Sequence, residues 1–85
     1  MGIRFELLVD DTPDALAAIP GIIEKHGGRI ESLVYDGTPP PAGKRHLDLL
    51  LGTMDKKALQ PLKAELSRTA LFLRMVDERY DKESL

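Results

Sequence analysis

From Ile3 to Val9 the chain alternates, with Ile3, Phe5, Leu7 and Val9 on one face and Arg4 and Glu6 on the other. A period of two is that of a half-buried β-strand. The period then changes: Leu16, Ile19 and Ile23 fall at the spacing of an amphipathic helix's buried stripe. The residues ahead of them suit a helix start, since the Thr12 hydroxyl can cap, Pro13 has no N–H to leave unpaired, and Asp14 complements the positive helix end. Pro20 cannot donate to the Leu16 carbonyl, which predicts a kink, and Gly27-Gly28 can supply the left-handed residue that ends the helix. A second strand is expected over 29–35, with Ile30, Ser32 and Val34 alternating against Glu31, Leu33 and Tyr35. Residues 36–43 carry three consecutive prolines, so a stiff extended loop is expected there rather than a tight hairpin. A third strand over 45–54 would turn Leu47, Leu49 and Leu51 inward, and Asp55 would cap a second helix striped by Leu59, Leu62 and Leu66 and weakened by Pro61. A fourth strand is expected over 71–76, and the polar residues 81–85 are expected to fray.

The order β-α-β-β-α-β predicts an α+β, ferredoxin-like domain over residues 1–80, a four-stranded antiparallel sheet with two helices on one face. Right-handed crossovers place the first and third strands centrally and the second and fourth at the edges. On the face away from the helices, Leu8, Leu33, Tyr35 and Leu50 would lie beside Arg4, Glu6 and Asp48. The second strand, Ile30 to Tyr35, carries no Pro or Lys and no sign of a bulge to blunt its edge, so it is the expected seam between two copies.

Composition narrows the functional classes. With 85 residues there is one core and little room for a deep internal site. The formal net charge is -2 and the 12 Lys and Arg are scattered, which argues against a nucleic-acid footprint. The absence of Cys removes disulfides, thiolate nucleophiles and Cys-based metal sites. No apolar run approaches a membrane span, so a soluble, cytoplasmic protein is expected. His26 and His46 lack metal-ligand spacing. Asp10, Asp11 and Asp14 fit no calcium loop, and Ser32 has no base motif around it. No catalytic residue, metal or cofactor is therefore expected, and the chain is read as something other than an enzyme.

The turn after the first strand has a more specific pattern. Asp11-Thr12-Pro13-Asp14-Ala15-Leu16, followed after one helix by Gly27-Gly28-Arg29-Ile30, resembles the ACT domain, whose patterns at these places are D-x-P-G-x-L and G-x-N-I. Asp11, Pro13, Leu16, Gly27 and Ile30 match, whereas Asp14 stands in place of Gly and Arg29 in place of Asn. The run from Glu31 to Lys44 is also similar to the ACT-like tails that follow paired CBS domains. The resemblance implies a regulatory homodimer joined through the second strand, sensing an amino acid for an attached or partner enzyme. It implies a ligand-binding set of Asp10, Asp11, Thr12, Pro13 and Asp14 from one subunit with Arg29 and Ile30 from the other. Two arrangements fit the departures. In one, Arg29 forks a ligand carboxylate while Asp14 or Asp10 takes the ammonium. In the other, Asp14 pairs with Arg29 across the seam, or Thr12 and Asp14 only cap the helix, and the chain is a pure oligomerisation or interaction module.

Overall fold

The computed structural model describes residues 2–35, 40–77 and 82–83. The elements are β1 (Ile3–Asp10), α1 (Pro13–Lys25), β2 (Ile30–Tyr35), β3 (Lys44–Leu51), α2 (Lys56–Leu66), β4 (Ala70–Asp77) and a short β5 (Lys82–Glu83). The strands form one antiparallel sheet in the order β2-β3-β1-β4-β5. The ferredoxin-like plan expected from the periodicities is thus present, with β1 and β3 central. It gains one strand: Lys82 and Glu83, in the stretch expected to fray, pair with Asp77 and Val76. The first half of the proline loop, 36–39, lies outside the described residues.

The core is where the alternation put it. Ile3, Phe5, Leu7 and Val9 of β1 and Leu47, Leu49 and Leu51 of β3 are buried against Ile19 and Ile23 of α1 and Leu59, Leu62 and Leu66 of α2. Met54 and Met75 fill the ends. β3 stops at Leu51 rather than Met54, because the Gly52 N–H turns to the Arg29 carbonyl (2.8 Å) and Met54 folds under the helices. α1 is one helix across Pro20. Gly27 ends it at φ +83°, and the Gly28 N–H reaches back to the Ile23 carbonyl (2.9 Å), the six-to-one bond of a glycine-ended helix. A Cβ on Gly28 would stand 2.7 Å from Ile23 Cγ2, so this close turn needs glycine twice over.

β2 differs from its expected geometry in one consequential way. Ile30 lies opposite Leu51, but Ser32 lies opposite Leu50, so Glu31 is an extra residue that bulges the strand. A one-residue slip moves every later side chain to the other face. Leu33 and Tyr35, opposite Leu49 and Leu47, therefore lie on the helix-bearing face, and Val34 lies on the open face. This corrects the expectation that Leu33 and Tyr35 point away from the helices and that β2 has no bulge. Arg4, Glu6, Leu8, Asp48 and Leu50 are on the open face as expected.

The two helices are tied at their C-terminal ends by Glu65. Its carboxylate accepts from Lys25 Nζ (3.0 and 3.2 Å) and lies 2.7 Å from His26 Nε2. These contacts, the His26 hydrogen bond first and the Lys25 bond next, hold the Glu65 carboxyl below the usual carboxylate range. A depressed carboxylate contributes stability that is complete above the unfolded-state value and is lost as pH falls through the folded one. Urea midpoints of the wild type should therefore fall on acidification below about pH 4.3. Glu65→Gln should have a lower midpoint at neutral pH and a flatter acid limb; parallel acid limbs would show that this tie carries no pH-dependent stability.

Candidate functional site

The β1–α1 turn is built from the cap outward. Thr12 is extended (φ -129°, ψ 149°), and its hydroxyl accepts from the Ala15 N–H at 3.2 Å. Its carbonyl accepts from the Leu16 N–H. With Pro13 lacking an N–H, the Asp14 N–H is the one first-turn donor without a partner among the described residues. The helix end therefore offers a ligand less than a bare N-terminus would.

The neighbouring aspartates part company. Asp10 pairs with its β3 neighbour Lys44 (2.5 Å), and both line a cleft with Leu8 and Leu71. Asp11 accepts from Arg45 Nε (3.4 Å), and the same guanidinium stacks over the Tyr35 ring, 4.6 Å from its centroid. An Asp11–Arg45–Tyr35 relay thus joins the helix start to the far end of the β2 edge. Asp14 is exposed and makes no side-chain bond with a described residue. Among the described residues no three His, Cys, Asp or Glu side chains gather as a metal site, and no helix is long and apolar enough to cross a membrane.

Arg29 and Ile30 stand elsewhere. Arg29 is 83% exposed and, among the described residues, its side chain reaches only Glu31 (3.4 Å), while Ile30 leans on the core. They begin β2, whereas the turn lies beyond its end, separated by the length of α1, about 20 Å for its 13 residues. One chain cannot bring Asp14 and Arg29 together.

Lys44, Arg45 and Tyr35 are the site residues that sequence reasoning missed. Their signal was an acidic pair, Asp10-Asp11, and a basic pair, Lys44-Arg45, at facing strand ends. Using it required the β1–β3 register, which the proline loop hides.

No protein-family model matches the sequence, and no curated protein matches it. Solved structures do. The ACT domain of GTP pyrophosphokinase from Chlorobium tepidum superposes with a TM-score of 0.62 at 18% identity, covering 84% of this chain and 95% of that one. A homoserine dehydrogenase from Thiobacillus denitrificans gives 0.63 at 16% identity, over 84% of this chain but 16% of the enzyme. A formyltetrahydrofolate deformylase from Burkholderia mallei gives 0.62 at 12% identity, over 91% and 28%. At these identities the likeness is one of fold: the chain has the ACT-domain fold.

Proposed function

We propose that the chain is a regulatory module rather than an enzyme, which pairs with a second copy through β2 and holds a small zwitterion of the amino-acid class at the seam. The observation that carries this reading is the β2 edge. Leu33, Val34 and Tyr35 are 37%, 55% and 50% exposed, and they occupy both faces of a strand with one side unpaired among the described residues. A neighbouring strand would satisfy the backbone edge, and its side chains would flank Leu33 and Tyr35 on one face and Val34 on the other. Two copies of β2 running antiparallel about a two-fold set the start of one against the end of the other. Arg29 and Ile30 of one copy would then meet Tyr35, Arg45, Asp11 and Asp14 of the next, with Arg29 as a fork for a carboxylate and Asp14 for an ammonium. That the same fold occurs as a segment of much longer enzymes supports an attached or partner enzyme as the recipient of the signal.

A second reading has its own support. Lys44 and Arg45 already occupy Asp10 and Asp11, and Thr12 already caps α1, so the turn is largely satisfied without a ligand. On that reading the seam alone is the function. Calorimetry with the common amino acids, on the wild type and on Arg29→Ala, separates the two. Ligand sensing predicts saturable heat that weakens about tenfold or more on losing the Arg29 fork. A stable dimer with no heat for any amino acid supports the assembly reading, and heat indifferent to the substitution removes Arg29 from the site.

A further inference from the structure

At the other side of the sheet, where α2 hands over to β4, a cleft of about 340 Å³ opens within a single chain. Arg68, Thr69 and Leu71 form one wall, and Leu8, Asp10 and Lys44 the other. Its β4 wall lies across the central strand pair from β2, while Asp10 and Lys44 stand next to Asp11 and Arg45.

The polar groups around it are unequally committed. Ser67 donates its hydroxyl to the Lys63 carbonyl (2.8 Å), and Lys44 is held by Asp10. The Arg68 and Thr69 backbone N–H groups close the end of α2 on the Glu65 and Leu66 carbonyls, which blunts the negative helix end facing the cleft. The Arg68 guanidinium and the Thr69 hydroxyl make no bond with any described residue. Beside them Leu8 and Leu71 are cross-strand partners, and Leu71 is 60% exposed.

From this juxtaposition we infer that the cleft is a binding site for a small monocarboxylate with a short apolar body. The charges choose the class. Two cations and one carboxylate leave the cleft one positive charge in excess, which one carboxylate neutralises. A dianion would be opposed by Asp10. The guanidinium presents a planar two-donor fork that matches a carboxylate, and the Thr69 hydroxyl adds a third donor. The apolar body lies on Leu8 and Leu71, whose exposed surface it removes from water. The volume sits at the small end of ligand pockets, which suits a small ligand.

The test is an amide-resolved NMR titration of the full chain with isovalerate, against isovaleramide, inorganic phosphate and sodium chloride at matched ionic strength. The expected result is saturable shifts at Leu8, Arg68, Thr69 and Leu71 with isovalerate and none that saturate with the amide or the chloride. Arg68→Gln should weaken binding about tenfold, Thr69→Val should weaken it less, and Arg29→Ala should leave it unchanged. Non-saturating shifts equal to those of chloride overturn the proposal, as does isovalerate binding that survives Arg68→Gln. Equal binding of phosphate overturns the choice of a monocarboxylate. Loss of isovalerate binding on Arg29→Ala would instead place the ligand at the seam.

Discussion

Lysines at both Leu33 and Val34 should raise the dissociation constant of the dimer at least about a hundredfold while leaving each chain folded. Both side chains are already substantially exposed within one chain, so the double change removes little of its core. Substitutions at such surface positions usually stay within about 0.5 kcal/mol. In the proposed pair each position would be buried twice, once from each copy, because a two-fold seam repeats every contact. Full burial of a Leu or Val side chain contributes roughly 1.5–3 kcal/mol. A hundredfold in affinity is about 2.7 kcal/mol, so losing even part of four such side chains reaches it, and like charges brought face to face add to the loss. Sedimentation equilibrium gives the dissociation constant, and urea melts at low concentration report the chain's own stability. A dimer that survives the double substitution does not use β2.

Phe5→Ala should act on the fold itself. Phe5 is fully buried in the middle of β1 and meets Phe72 of β4 edge to face, with ring centroids 5.2 Å apart at 81°. Truncating a buried Phe to Ala typically costs about 3–5 kcal/mol, and part of an aromatic pair worth about 0.5–1.5 kcal/mol is lost with it. A chain of this length holds on the order of 4–13 kcal/mol in total. The variant should therefore lose a large part of that stability, read as a lowered urea midpoint. A loss below about 1 kcal/mol would mean that the layers repack around the cavity far more completely than such cores do.

The sheet and helices were legible because the buried positions repeat with two sharply different periods. Ile3, Phe5, Leu7 and Val9 could only share a strand face, and Leu59, Leu62 and Leu66 only a helix stripe. The cap at Thr12 and the exit at Gly27-Gly28 were equally local, so they could be read without knowing the fold. What escaped depends on partners distant in sequence. The bulge at Glu31 is set by how β2 lies on β3, and it alone decides that Leu33 and Tyr35 sit on the helix-bearing face. The pairing of Asp10 with Lys44 and Asp11 with Arg45 needs the β1–β3 register, and the Glu65 tie needs the two helices side by side. Thr12 caps α1 as its place before Pro13 implies, but the two aspartates ahead of it bond to different partners, Lys44 and the Arg45 that stacks on Tyr35.

The proposed ligand seat exists only when Arg29 of one copy reaches the turn of another, so it requires the β2 edge to be an interface. Multi-angle light scattering over a micromolar concentration series tests this most directly. A mass twice that of one chain, falling to the single-chain value in the Leu33→Lys, Val34→Lys double variant, is the result expected. A single-chain mass for the wild type throughout the series would contradict it.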